Sequence, residues 1–182
     1  AYNQLVLEQR PLRPLTAAIS PEAEIHPTAI IEPNVTIGPD VKIGANSHIQ
    51  ANVVIAEHTI IGSEVTIQSG CIIGTDAFYY KRTPEGYDKW RSGGRVIIED
   101  KVDIGAGCTV NKGVSGDTVI GEGSKLDCQI HIGHDVKIGK RCLIAGQVGI
   151  GGNTELGDEV VLYGQVGIVN NLKIGAKAVV LA

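Results

Sequence analysis

Every sixth residue of this chain is aliphatic over most of its length. Ile stands at 19, 25, 31, 37, 43, 49, 55, 61, 67 and 73 without exception. The count resumes at Ile98, Ile104 and Val110 and slips by four residues. It then runs from Ile120 through Leu126, Ile132 and Ile138 to Val180. Two residues before the aliphatic position sits something small or β-branched, such as Ala23, Val35, Ser47, Thr59 or Cys71. A period of six suits neither a helix of about 3.6 residues per turn nor a strand alternating by two. It suits a coil of three short parallel strands joined by corners, with 24 repeat units making about eight coils. On this reading the Ile fills the interior and the small residue fits the corner. The Gly that often follows Ile, as in "IGPD" and "IGSE", lets the backbone turn. The expected fold is an all-β, parallel β-helix with coils about 4.8 Å apart.

Composition agrees with thin, repeated core layers: 24 Gly, abundant Ile and Val, and only seven aromatic residues. A net charge of −4 carries no electrostatic footprint for nucleic acid. No apolar run approaches the roughly 18 residues of a membrane span, and no signal peptide is visible. Ala at residue 1 and the lack of any Met read as a trimmed piece of a longer chain. Cys71, Cys108 and Cys142 all fall on the small corner position and are expected to pack as small hydrophobes. Cys128 lies outside the pattern. A reduced, cytoplasmic protein fits these cysteines best.

Two segments break the count. Residues 75–95, "TDAFYYKRTPEGYDKWRSGGR", hold five of the seven aromatics, Phe78, Tyr79, Tyr80, Tyr87 and Trp90, with Lys81, Arg82, Lys89, Arg91 and Arg95. Thr-Pro-Glu-Gly reads as a turn between two extended arms, and such an excursion suits contact with a ligand or partner. Residues 111–117, "NKGVSGD", make the smaller slip. Residues 1–18 carry no count and read as a helix end and a Pro-containing linker leading from a missing N-terminal domain. The β-helix domain is expected over 19–182.

The stretch "LDCQIHIGHD" brings Asp127, His131 and His134 together. Counted from Leu126 and Ile132, neither Asp127 nor His134 is interior, so both can face outward. One coil beyond His134 lies Gly152. A base, a carboxylate to orient it and a backbone N–H to hold an oxyanion can therefore converge. His131 can line the same cleft. Spacing alone leaves open a solvated surface histidine, or a zinc site completed by a third histidine. The remaining histidines, His26, His48 and His58, lie several coils away, which disfavours metal.

The repeat is the hexapeptide repeat, and proteins that carry it form left-handed parallel β-helices assembled as trimers. The order "GTDAFYY…GGRVIIEDKVDIGAGCTVNKGVSGDTVIGEGSKLDCQIHIGHDVKIG" resembles the UDP-3-O-acylglucosamine N-acyltransferases of lipid A biosynthesis, from about residue 16 onward. "HIGHD" is also similar to the sister O-acyltransferases. The resemblance implies a 3-hydroxyacyl group moving from the phosphopantetheine of acyl carrier protein to the 2-amino group of a UDP-sugar lipid precursor. It implies no bound cofactor, and a homotrimer with sites between subunits. By it, His134 is the base, Asp127 its paired carboxylate and Gly152 the oxyanion donor. His131, Cys128, Asn171, Phe78 and Tyr80 are expected to contact substrate. Cys128 stands where the family usually has Asn, Asn171 where well-studied members have a second His, and Asn111 where the family has Asp. The same rod also serves CoA-dependent acetyltransferases of nucleotide sugars. A paralogue that binds carrier protein or lipid precursor without turnover is a further alternative.

Overall fold

The computed structural model describes residues 1–11 and 13–182. A helix, α1 (Tyr2–Gln9), precedes a three-faced, all-parallel β-solenoid, the left-handed β-helix expected from the repeat. The first face stacks eight strands from Glu24–Ile25 to Lys173–Ile174, and the second stacks eight from Ile30–Ile31 to Val179–Val180. The third stacks seven, from Thr36–Ile37 to Gly167–Ile168, with Ile19 bridging to Ile37 as an eighth rung.

Neighbouring strands pair 18 residues apart, as Lys42 does with Ile60 and Lys137 with Glu155. The exceptions are the two breaks in the count, where Ile61 pairs with Ile98 and Ile98 with Ile120. Both inserted segments are therefore extruded while the ladder stays in register. The clock residues form one continuous core. Ile37, Ile49, Ile67, Ile73, Ile104 and Ile132 have no solvent exposure, whereas Ile25, Ile31 and Ile174 in the end coils are half-buried. Burying a whole Ile side chain contributes about 1.5–3 kcal/mol, so a column of them carries the fold.

The corners correct two expectations. Within the repeat the Gly after Ile does not make the turn, and only Gly74, where the larger excursion begins, is left-handed (φ 87°). A Cβ on Gly44 would lie 2.5 Å from the backbone of Gly62, and one on Gly139 would lie 2.6 Å from Gly157. Glycine there lets successive coils approach. At most corners the turn is made by a left-handed residue three places before the interior aliphatic, including Asn34 (φ 62°), His58 (φ 61°), Asp135 (φ 57°) and Asn171 (φ 62°). Asn and Asp tolerate this region better than most side chains. The corner cysteines are buried and free, as expected, but they do more than pack. Cys71 and Cys142 donate Sγ–H to the carbonyls of Gly105 (3.0 Å) and Gly157 (3.3 Å). Ser47 and Ser124 donate in the same way to Gly62 and Gly139.

Within the larger excursion, Tyr80–Thr83 and Gly86–Lys89 pair as an antiparallel hairpin. α1 lies against it. Tyr2 stacks on Trp90 with ring centroids 4.8 Å apart, and its hydroxyl donates to the Val114 carbonyl. The Asn3 side chain donates to the Lys89 carbonyl and accepts from the Arg91 N–H. Of the linker expected over 1–18, Leu12 lies outside the described residues.

Candidate active site

His131 and Ile132 form a strand of the third face, with Ile132 inward and fully buried and His131 outward. The chain then turns the corner, and His134 and Asp135 stand at its edge. The His134 side chain is only 14 % exposed, and its Nδ1 lies 2.8 Å from Asp135 Oδ2. The N–H groups of Val114 (2.9 Å) and Gly116 (2.7 Å) donate to the same carboxylate. Burial by itself would raise this carboxyl, but the His134 and backbone hydrogen bonds outweigh it and hold Asp135 down to about 2. An ionised carboxylate only accepts, so Nδ1 must carry the proton and Nε2 is left as the basic nitrogen of the neutral ring. The slip at 111–117 thus has a structural purpose: its extra residues bulge outward and wrap Asp135.

Gly152 lies against the other side of the ring. A Cβ there would come 2.5 Å from His134 Nε2, so only glycine leaves that nitrogen accessible. Gly152 accepts from the Asn171 N–H through its carbonyl. Its own N–H has no acceptor among the described residues. The edge of Tyr79 meets the His134 ring at a centroid distance of 5.1 Å and an interplanar angle of 80°. Tyr79 rests in turn on Trp90, at 5.9 Å.

Two clefts meet at His134. One, of about 430 Å³, is lined by Tyr79, Trp90, Asp135, Asn153 and Asn171. The other, of about 280 Å³, is lined by Phe78, Asn111, His131, Gly152 and Asn170. Burial lowers the pKa of His131, whose Nδ1 lies 2.8 Å from Thr109 Oγ1.

Of the residues expected at the site, His134, Gly152, His131, Phe78 and Asn171 line these clefts. Asp127 does not. It follows the second face, one corner earlier, where it is exposed and accepts from the Cys128 N–H at 2.7 Å. Within the chain the carboxylate on His134 is Asp135, because seven residues of separation carry Asp127 past a full side of the coil. Cys128 lies at that same earlier corner, its carbonyl accepting from the Gln147 N–H. Tyr80 lines neither cleft and packs edge-on against Phe78, 5.1 Å away. Asn171 accepts from Asn153 Nδ2 at 2.8 Å and lines the larger cleft. Asp135, Tyr79 and Asn170 were not anticipated. Asp135 was legible in "HIGHD" as the left-handed corner residue, since it stands three before Ile138.

Among the described residues no cluster of three or more His, Cys, Asp or Glu is arranged to hold a metal ion. No helix among them is long and apolar enough to cross a membrane.

Residues 117–152 match the family model described as bacterial transferase hexapeptide (six repeats), and residues 15–78 match the model of the GMPPB C-terminal domain. The UDP-3-O-acylglucosamine N-acyltransferase of Rhizobium rhizogenes is 51 % identical over 73 residues, covering 40 % of this chain and 21 % of that protein. The Agrobacterium fabrum protein of the same name is 48 % identical over 75 residues, again 21 % of its length. Among solved structures, the Francisella novicida UDP-N-acetylglucosamine acyltransferase superposes with a TM-score of 0.81 at 30 % identity. The match covers 89 % of this chain and 58 % of that one. The Campylobacter jejuni UDP-N-acetylglucosamine acyltransferase gives 0.70 at 27 %, covering 90 % and 64 %. The chain thus spans about a fifth of the curated relatives it matches, and less than two thirds of these structural neighbours.

Proposed function

We propose that this chain is the catalytic rod of a UDP-3-O-acylglucosamine N-acyltransferase, moving a 3-hydroxyacyl group from acyl carrier protein to the 2-amino group of a UDP-sugar lipid precursor in the cytoplasm. The observation that carries the reading is the His134 ring, held by a persistently ionised Asp135 with Nε2 open beside Gly152. His134 Nε2 takes a proton from the amine as its nitrogen attacks the thioester carbonyl. The carbonyl oxygen becomes an oxyanion that accepts from the Gly152 N–H. Collapse of the tetrahedral intermediate breaks the C–S bond, and His134 returns the proton to the departing phosphopantetheine thiolate. The half-identical relatives over the repeat region support this acceptor and this reaction.

Lys81 and Arg82, exposed on the hairpin and paired with no carboxylate among the described residues, offer the acidic carrier a local cationic surface. Assembly as a trimer with sites between subunits is supported by the third face. Its outward row, Thr36, Val54, Ile72, Thr109, His131, Gly149 and Gly167, contains no carboxylate, Lys or Arg, whereas the first face presents Glu24, Lys42, Lys137, Glu155 and Lys173.

A second reading has the same base serving a hydroxyl of UDP-N-acetylglucosamine. It is favoured by the Francisella structure, whose match covers more of this chain than any curated relative reported above. The test is acyl transfer from 3-hydroxyacyl carrier protein to each acceptor, with acetyl-CoA as the competing donor, beside His134→Ala. Transfer to the amine that falls about 10²–10⁴-fold in the variant, with the melting temperature unchanged, supports the first reading. Transfer only to the hydroxyl acceptor supports the second. Undiminished transfer by His134→Ala overturns both.

A further inference from the structure

The two extruded segments re-enter the rod on neighbouring rungs. Val96 pairs with Thr118, so Arg95, the last residue of the hairpin excursion, stands beside Asp117, the last residue of the slip. Three hydrogen bonds join them. The Arg95 backbone N–H (3.0 Å) and Nε–H (3.2 Å) donate to Asp117 Oδ1, and Nη2–H donates to Oδ2 at 2.8 Å. Such a forked guanidinium–carboxylate pair fixes orientation as well as distance. The hydrogen bonds from Arg95 hold the Asp117 carboxyl below the ordinary Asp range.

Around this pair the two backbones are zipped together. The N–H groups of Gly93 and Gly94 donate to the Val114 and Gly113 carbonyls, each at 2.9 Å. The Arg95 carbonyl accepts from the N–H groups of Gly113 (3.3 Å) and Thr118 (2.9 Å). A Cβ on Gly94 would lie 1.7 Å from the Gly116 carbonyl oxygen, and one on Gly113 would lie 1.9 Å from it, so only glycine admits this approach. The slip held in this way is the one that turns the Val114 and Gly116 N–H groups onto Asp135. Arg95 itself lines neither cleft at His134, and Asp117 lines only the larger one. Both side chains are partly exposed, 39 % and 25 %, and a pair so placed adds little to overall stability. Its effect is to set where the slip lies.

We propose that Arg95 and Asp117 are positioning residues: their pair clasps the slip where Val114 and Gly116 donate to Asp135, and through Asp135 it sets the orientation of the His134 ring. The consequence for transfer rests on the acyl-transfer reading, whereas the grip on Asp135 does not. The other titratable groups lining the cleft around Asp135 are Tyr2, Tyr79, Asp117, His134, Lys137 and Glu155. Among them Asp117 gives the clasp a clear sign. Removing its charge alone would favour the ionised form of Asp135 and lower that pKa, because like charges disfavour ionisation. Releasing the slip N–H groups would raise it, because hydrogen bonds to the carboxylate favour the ionised form. The two effects oppose each other, so the direction of the change identifies the cause.

The experiment is a carbon-13 NMR titration of the Asp135 carboxyl in the purified protein, its resonance identified by its loss in Asp135→Asn. In Asp117→Ala the Asp135 pKa should rise from about 2 toward the ordinary value of 3.8, with the melting temperature changed by no more than a few degrees. For acyl transfer, kcat should fall about 10–100-fold with KM unchanged. Arg95→Lys, which keeps the charge but not the fork, should move both readouts the same way by less. Arg141→Gln breaks another exposed pair, with Glu159 at 2.9 Å, on a corner away from the slip, and should titrate and turn over like the parent. An Asp135 pKa that stays or falls in Asp117→Ala overturns the proposal, as does an equal rise in Arg141→Gln. A raised pKa with kcat unchanged overturns the step from Asp135 to transfer. Arg95→Lys keeps the test decisive if Asp117→Ala does not fold. If the parent itself transfers nothing, the acyl-transfer reading fails and the titration still decides the clasp.

Discussion

Asp135 joins three N–H-bearing groups at one corner, and its ionisation ties the site to the stability of the fold. Its folded pKa, about 2, lies below the ordinary Asp value of 3.8. Because the folded value is depressed, the associated stability is fully present above about pH 4 and is lost as pH falls through 2. The difference corresponds to about 2 kcal/mol. Asp135→Asn keeps a residue suited to φ 57° but removes this dependence. Between pH 4 and pH 2, urea unfolding should show the parent losing about 2 kcal/mol more than the variant. Parallel curves for the two would mean that the carboxylate is not held as described. Transfer should also fall in Asp135→Asn, because the amide offers one accepting oxygen to the His134, Val114 and Gly116 N–H groups and turns an N–H toward one of them. Gly152→Ala isolates the opposite side of the ring. Gly152 does not need a left-handed backbone, so the added methyl acts only by crowding Nε2. Activity should be lost with a change in melting temperature of no more than a few degrees, and retained activity would remove Gly152 from the site. At this scale "HIGHD" already named His134 as the candidate base. The choice of carboxylate follows from the coil and not from polarity: a full side lies between Asp127 and His134, whereas Asp135, three before Ile138, shares the His134 corner.

The hairpin excursion and α1 act as one bracket. Tyr2 supports Trp90, Trp90 supports Tyr79, and Tyr79 meets His134. Beyond the bracket, Phe78 is 87 % exposed and Tyr87 71 %, beside Lys81 and Arg82. Reversing both charges, Lys81→Glu with Arg82→Glu, should raise KM for a carrier-bound donor at least tenfold. It should leave KM for a small pantetheine thioester unchanged, and the parent's carrier KM should rise with salt. Equal effects on both donors would assign the hairpin a structural role instead. An excursion rich in aromatic and basic residues was visible in sequence. Its division was not. Tyr79 and Trp90 turn toward His134, Arg91 lines a separate cavity of about 540 Å³ beside Arg10, and Lys81 and Arg82 remain outside. Those directions depend on α1, whose contacts with the hairpin lie more than 80 residues away along the chain.

The rod as a whole is stabilised coil by coil, each layer against its neighbours, so the cost of a core defect depends on where it falls. Ile132 is fully buried in the middle, whereas Ile174 in an end coil is only half-buried. Ile132→Asp should destabilise by roughly 3–5 kcal/mol or more by burying an unpaired charge, and Ile174→Asp by a small fraction of that. Thermal melts followed by circular dichroism compare them directly, and equal losses would contradict the one-dimensional picture. The sequence by itself determined the class of fold, the interior column and the two extruded segments. A six-residue period repeated 24 times admits one way of hiding its aliphatic side chains, and that information is local. Only the tertiary structure decided which outward groups meet. Contacts across coils join residues 18 apart or, over the two breaks, 22 and 37 apart. The partnership of Asp135 with the slip N–H groups and the close approach of Gly152 to His134 both depend on that stacking. Spacing along the chain sets each side chain's face, but the neighbour it meets there comes from another coil.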